Sequence, residues 1–239
     1  MEVNNLLTTY IKNLINKYTH KYIIYFFCCY YEVWTYITMS KISLIGNIGS
    51  GKTTLLQLYS NTIDPIATAY EPFLDSLDNY YNGTISSFEF QLYVITKLAE
   101  RNRNYLKSDV LLERNLEDAV EVFTAVLTDN KKITTQQQLI IYSLFQNTID
   151  KRLKSNFFIY LRTDPQVCFE RIKQRGRECE KDITLEYLTQ LHEHYERYTE
   201  ELATTFGTNK IIILNGNLQS IDLVLKLMYF VDMKKVLSY

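Results

Sequence analysis

An α/β fold, a parallel sheet of five strands with helices on both faces, is what three features of this sequence predict. Short apolar runs alternate along the chain with longer stretches of helical spacing. Five such runs occur, at 41–46, 66–70, 109–113, 156–161 and 210–214. The first leads straight into Gly46-Asn-Ile-Gly-Ser-Gly-Lys-Thr-Thr54, a glycine-rich turn that opens a helix. Strands that alternate with helices pair in parallel, because each crossover returns the chain to the same end of the sheet. Ligands in such sheets bind beyond the carboxyl ends of the strands, so the residues standing there carry the functional reading.

Composition narrows the class before any motif is weighed. A chain of 239 residues is a large single domain or one domain with an extension, and no internal repeat or low-complexity linker divides it. A net charge of −1 gives no general attraction to nucleic acid or an anionic membrane. Cys28, Cys29, Cys168 and Cys179 show neither metal-ligand nor secreted-framework spacing. His192 and His194, two apart on a predicted helix, face different directions and cannot share a metal. An intracellular, cytoplasmic protein is expected.

Residues 1–38 differ in character from the rest of the chain. The apolar run Tyr22–Tyr31 is interrupted by Glu32 after about ten residues, too few to span a bilayer as a helix. Lys12, Lys17 and Lys21 imitate the basic region of a signal peptide, but no small-residue cleavage site comes after the run. Met39 is a natural start for a compact domain. The expectation is an N-terminal extension (1–38) of little structural role ahead of a folded domain (39–239), with membrane anchoring as the alternative.

Taken in order, the strand ends carry chemistry. Gly46-x-x-x-x-Gly51-Lys52-Thr53 is a phosphate-binding loop in its required strand–turn–helix context. The chain has only 7 glycines and places Gly46, Gly49 and Gly51 here. Glycine lets the backbone approach an anion, and successive N–H groups of Asn47, Ile48, Ser50, Thr53 and Thr54 gather at the positive end of the following helix. Lys52 is expected on the outer phosphates and the Thr53 hydroxyl on Mg²⁺, so the ligand is a nucleoside triphosphate. The second strand ends at Glu71-Pro72, where a carboxylate above a phosphate site can orient or deprotonate an attacking hydroxyl; a plain polar strand end has the same sequence. The third ends at Glu113-Arg114, an acid placed for Mg²⁺ and a cation placed for phosphate, or simply a pair of charges at the sheet edge.

Helices complete the candidate site. Gln91, Val94 and Leu98 share a face of the helix near 85–104, and a Gln carboxamide can both donate to and accept from a nucleobase edge. Ala119 and Phe123, four apart on the helix 116–129, set a small side chain beside an aromatic that can stack. Read without context, these are core positions with one polar exception. A helix is predicted over 134–152. Beyond the fourth strand, Asp164 and Pro165 start a helix carrying Arg171, Lys173, Arg175 and, past Gly176, Arg177. Such a cluster resembles a lid that closes over phosphates, or a solvated charged face that Glu170, Glu178 and Glu180 partly neutralise. The helix 184–206, with Leu185, Leu188, Leu191, Tyr195, Tyr198 and Leu202 at helical spacing, is expected to be scaffold. A last helix is predicted over 218–236.

In order and spacing, the loop, Glu71-Pro72, Phe90-Gln91, Glu113-Arg114, Tyr160-Leu-Arg-Thr-Asp-Pro165 and Glu170-Arg-Ile-Lys-Gln-Arg-Gly-Arg177 resemble the deoxyribonucleoside kinase family, whose members have a P-loop kinase fold with an arginine-rich lid. The resemblance covers about residues 40–214. It implies Glu71 as general base for the 5′-hydroxyl, Gln91 on the base and Phe123 stacked against it. Arg114 would stand near the 5′-hydroxyl and phosphates, with Glu113 as its acidic neighbour. Tyr80, or Tyr81, and Glu180 would hold the sugar 3′-hydroxyl, and Arg171, Arg175 and Arg177 would be the lid arginines. Two departures stand out: Phe73-Leu-Asp-Ser76 lacks the family's usual Trp, and Asn115 replaces the Ser that commonly follows Glu-Arg.

The activity so implied is Mg²⁺-dependent transfer of a phosphoryl group from ATP to a deoxynucleoside in nucleotide salvage, by a homodimer. Small apolar residues at Ala119 and at Leu98 or Val94, where cytosine- and purine-accepting members place an Asp/Arg pair, imply a pyrimidine preference for thymidine and deoxycytidine. Two rivals remain at this stage. A thymidylate kinase would need cations where Glu71 stands, and a non-catalytic, kinase-like interaction protein would not need Lys52, Glu71 and Arg114 intact.

Overall fold

The structure, a computed structural model, describes residues 40–237. The expected extension, with its apolar run 22–31, and Met39 lie outside the described residues.

Strands β1 (Lys41–Ile45), β2 (Ala67–Ala69), β3 (Val110–Glu113), β4 (Phe157–Arg162) and β5 (Ile211–Asn215) pair in parallel in the spatial order β2-β3-β1-β4-β5. Each lies within one residue of its sequence expectation. The central strand is buried along its whole length, and its alternating side chains feed two separate cores. Ile42 and Leu44, with Phe157, Ile159 and Leu161 of β4, face one layer. Ile45, with Phe158 and Tyr160, faces the other.

Helices α1 (Lys52–Ser60), α2 (Leu77–Tyr81), α3 (Ser87–Arg103), α4 (Leu116–Asp118, running through a π turn Ala119–Phe123 into Thr124–Asp129), α5 (Thr135–Thr148), α6 (Pro165–Arg175), α7 (Leu185–Phe206) and α8 (Ser220–Leu237) cover the sheet. Leu55, Leu56 and Tyr59 of α1 and Leu223, Leu227 and Val231 of α8 fill the first core. Cys168 and Ile172 of α6 and Leu188, Leu191 and Tyr195 of α7 fill the second. A third cluster joins α3, α4 and α5 through Phe90, Val94, Leu98, Leu116, Val120, Ile141 and Phe145.

Local chemistry sets the helix ends. Ser86 and Glu89 form a reciprocal capping box at α3, and Thr134 and Gln137 another at α5. Asp164 caps α6 with Pro165 at the first position, and Gly176 ends it in the left-handed conformation at φ 66°. The helix expected over 134–152 is shorter than predicted. Ile149 turns extended (φ −78°, ψ 120°), and Asp150 restarts a single 3₁₀ turn, Lys151–Leu153, by accepting from Arg152 N at 2.8 Å. Among the described residues no helix is long and apolar enough to cross a membrane.

Glu117, in the first turn of α4, accepts a hydrogen bond from Ser155 N at 3.0 Å and so ties α4 to the approach to β4. Its second oxygen is shielded from solvent and has no partner among the described residues. Burial pushes the carboxyl up to about 7. The folded state therefore holds this proton to higher pH than the unfolded chain, and stability falls as pH rises from 4.5 toward about 7. Glu117→Gln keeps the acceptor for Ser155 N and removes the charge. Urea denaturation should show the variant matching the parent near pH 4.5 and exceeding it by about 1–3 kcal/mol at pH 8.

Candidate active site

The carboxyl ends of β1, β2, β3 and β5 deliver the phosphate-binding loop, Glu71, Glu113-Arg114 and Gly216 to one cavity of about 650 Å³. The loop's geometry depends on glycine at two points. Gly49 has φ +76°, and a Cβ there would stand 2.5 Å from Cys168 O of α6. Gly46 has φ +144°, and its Cβ would meet Leu161 O at 2.7 Å. The loop can thus sit this tightly against its neighbours only without side chains.

Residues 48–54 line the cavity. Gly46 and Asn47 lie beneath it: Asn47 Nδ2 donates to Leu188 O at 2.7 Å and anchors the loop to α7. Lys52 Nζ reaches back over the loop to Gly46 O at 3.0 Å and Asn47 O at 2.7 Å. Burial, helped by the nearby Arg114 charge, brings its pKa down to about 8. Thr53 Oγ1 donates to Glu113 Oε1 at 2.6 Å.

Glu71 and Arg114 form the centre of the site. Arg114 Nε meets Glu71 Oε1 at 2.5 Å, with both side chains largely withdrawn from solvent. Arg114 Nη1 donates to Tyr195 OH at 2.9 Å, and that hydroxyl donates to Asp118 Oδ2 at 2.7 Å. The guanidinium lies over the Phe123 ring, 4.4 Å from its centroid. Burial alone raises the Glu71 carboxyl, but Arg114 and Lys52 outweigh it and hold it below the usual range. Glu113 moves the other way, raised by burial and by the Glu71 charge. Arg114 has φ 59°, a left-handed conformation unusual for a residue with a side chain. In an extended strand successive side chains point to opposite faces. The left-handed turn breaks that alternation, so Glu113 and Arg114 both line the cavity.

Glu113 is suited to a divalent cation. Its carboxylate is buried beside the Thr53 hydroxyl and has no ion-pair partner among the described residues, and such hard oxygen donors suit Mg²⁺.

At the other end, the cavity is lined by Phe73, Leu77, Tyr80, Gln91, Val94, Ala119 and Phe123. Gln91 Nε2 donates to Ala119 O. Phe73, Leu74 and Leu77 form the wall where the family's Trp is missing. Leu98 does not reach the cavity. One helical turn beyond Val94, it is fully buried in the core that α3 shares with α4. Tyr80 stacks on Phe90, with centroids 4.3 Å apart, and Tyr81 and Tyr187 also face the cavity.

The arginines expected to form a lid are paired with protein groups. Arg175 Nη2 meets Glu180 Oε2 at 2.5 Å, and Arg177 Nη1 meets Glu180 Oε1 at 3.3 Å, so Glu180 gathers both cations. Arg171 instead bridges the backbone, donating to Ser50 O at 2.9 Å and Gly216 O at 3.1 Å. The helix 184–206, expected to be scaffold alone, sends Tyr187 to the cavity and Tyr195 to Arg114. Sequence reasoning does not single out Asp118 either. The signal for these residues is a polar atom on a predicted core face, too common to stand out.

The family model for deoxynucleoside kinases matches residues 42–228. The chain belongs to the deoxynucleoside kinase family. As a member it is a phosphotransferase that acts on nucleosides with a nucleotide as phosphate donor. This kinase is 33% identical over 186 residues to a protein of Invertebrate iridescent virus 3 named as a kinase, covering 74% of this chain and 92% of that one. To mitochondrial thymidine kinase 2 of Homo sapiens it is 31% identical over 171 residues, covering 66% of this chain and 64% of the human protein. To deoxyadenosine kinase of Dictyostelium discoideum it is 28% identical, over 69% of this chain and 68% of the relative. Among solved structures, deoxyadenosine kinase of M. mycoides superposes with a TM-score of 0.70 at 22% identity, covering 81% of this chain and 98% of that one, and shares the fold.

The Tyr195 hydroxyl links the cation of the central pair to a buried carboxylate. Tyr195→Phe should leave the kinase folded, with stability reduced by about 1–2 kcal/mol from the lost hydrogen bond to Asp118 Oδ2. Steady-state kinetics should show kcat reduced about tenfold and KM for the nucleoside little changed.

Proposed function

We propose that residues 39–239 form a cytoplasmic deoxynucleoside kinase domain that transfers the γ-phosphoryl group of ATP to the 5′-hydroxyl of a pyrimidine deoxynucleoside. The observation that carries this reading is the Glu71 carboxylate, held ionised by Arg114 at the rim of the phosphate-binding loop. A carboxylate there can accept the 5′-hydroxyl proton as the new O–P bond forms and the bond to the bridging oxygen of the leaving ADP breaks. It would repel an acceptor that already carried a phosphate, which argues against a thymidylate kinase.

The other roles follow from position. Lys52 and the loop N–H groups hold the donor's phosphates, and Arg175 and Arg177 lie within the same cavity to neutralise charge on the transferring group. Arg171, bound to the loop's backbone, steadies the loop. Thr53 and Glu113 would hold Mg²⁺, which would draw charge from the donor phosphates when bound. The nucleoside lies toward Gln91 and Phe123, with Tyr80 or Tyr81 and Glu180 near its sugar. Family likeness makes a homodimer the expected assembly.

Base preference rests on the far end of the cavity. Val94 and Ala119 are apolar and compact beside Gln91, so the site makes no demand for an exocyclic amine and leaves room for a 5-methyl group. The names of the relatives point both ways, since one is called a thymidine kinase and another a deoxyadenosine kinase. With ATP and Mg²⁺ supplied, kcat/KM for four deoxynucleosides tests the reading. Thymidine and deoxycytidine are expected first, and a purine deoxynucleoside in first place would overturn the pocket argument.

A further inference from the structure

Arg101, in the last turn of α3, is 8% exposed and does not line the cavity. Its guanidinium is nevertheless wired to the active-site strands. Nη1 donates to Tyr70 O at 3.1 Å and Glu113 O at 2.6 Å, and Nη2 donates to Arg114 O at 2.9 Å. Nε and Nη2 also donate to Asn102 Oδ1, at 3.1 and 3.0 Å. Asn102 is itself buried and fixed by donating to Leu153 O at 2.7 Å. Among the described residues Arg101 makes no ion pair with a carboxylate, so a buried cation is spent entirely on neutral oxygens.

The choice of oxygens is informative. Tyr70 O immediately precedes Glu71, and Glu113 O and Arg114 O lie on either side of the left-handed turn at Arg114. A non-glycine residue in that conformation is strained and persists only where its surroundings fix it. Leu44 O fixes one side by accepting from Arg114 N at 3.0 Å. Arg101 fixes the carbonyls. A single planar fork therefore sets both peptide segments that carry Glu71, Glu113 and Arg114.

We propose that Arg101 is a positioning residue for phosphoryl transfer: it contacts neither substrate and holds the ends of β2 and β3 in the one arrangement that brings all three side chains together. The inference rests on reading those three side chains as the catalytic group. A lysine at this site keeps the charge and the stem but has no planar fork to span three divergent carbonyls.

Arg101→Lys and Arg101→Gln should be compared with the parent kinase by far-UV circular dichroism, thermal melting and steady-state kinetics. Arg101→Lys should be folded with a Tm within a few degrees of the parent, and its kcat should fall about tenfold or more. Its KM for the deoxynucleoside should stay within about threefold, because the base and sugar contacts are made elsewhere. Arg101→Gln should move the same way and further. A folded Arg101→Lys with the parent's kcat overturns the proposal. So does an Arg101→Lys that does not fold, since Arg101 then serves the fold and not the site. A parent protein that phosphorylates no deoxynucleoside in the same assay would instead count against the proposed function.

Discussion

The buried contact between Arg114 and Glu71 is the constraint around which the active-site end of this protein is built. Withdrawing an ion pair from water is expensive, and mutual attraction alone does not recover that cost. Here further partners do. The guanidinium also meets Tyr195 and stacks on Phe123, and Asp118 lies 3.6 Å away. Phe123 and Asp118 come from α4 and Tyr195 from α7, so α4 and α7 must close over the strand ends before the pair is fully satisfied. The same closure orders part of the cavity wall, because Phe123 and Ala119 lie on the π turn of α4. Fold and site are thus coupled through one cation.

On the phosphate side the cations are already engaged. Lys52 is bound to loop carbonyls, and Arg175 and Arg177 are gathered by Glu180. Phosphate oxygens would replace contacts of similar geometry, so the cations need not be held bare and desolvated in the meantime. Burial lowers Lys52 in the same way, toward a state in which an incoming anion stabilises its charge.

Much of this is legible in the sequence, for identifiable reasons. The strands are visible because apolar runs such as 157–161 have no charged residue to break them and are followed by Gly46, Glu71-Pro72 or Asp164-Pro165. The catalytic candidates are visible because charges stand at two strand ends in the same sheet as a phosphate-binding loop. What escapes depends on contacts between distant parts of the chain. Arg101 binds Tyr70 O, 31 residues away, and Tyr195 binds Arg114 across 81 residues. Backbone carbonyls leave no mark in a sequence, and the left-handed turn at Arg114 has no glycine to announce it. Helical spacing places Leu98 on the face of Gln91, yet that face turns into the core one turn past Val94. Spacing gives direction around a helix but not how far the cavity extends along it.

The claim that Glu71 and Arg114 act as one unit can be tested directly by a double-mutant cycle on kcat/KM, using Glu71→Gln, Arg114→Gln and the double variant with the preferred deoxynucleoside. Residues that act together are strongly non-additive. The account predicts that each single change lowers kcat/KM by about 10²-fold or more, and that the double variant is no worse than the poorer single one. Losses that multiply, with the double variant falling by the product of the two, would contradict it.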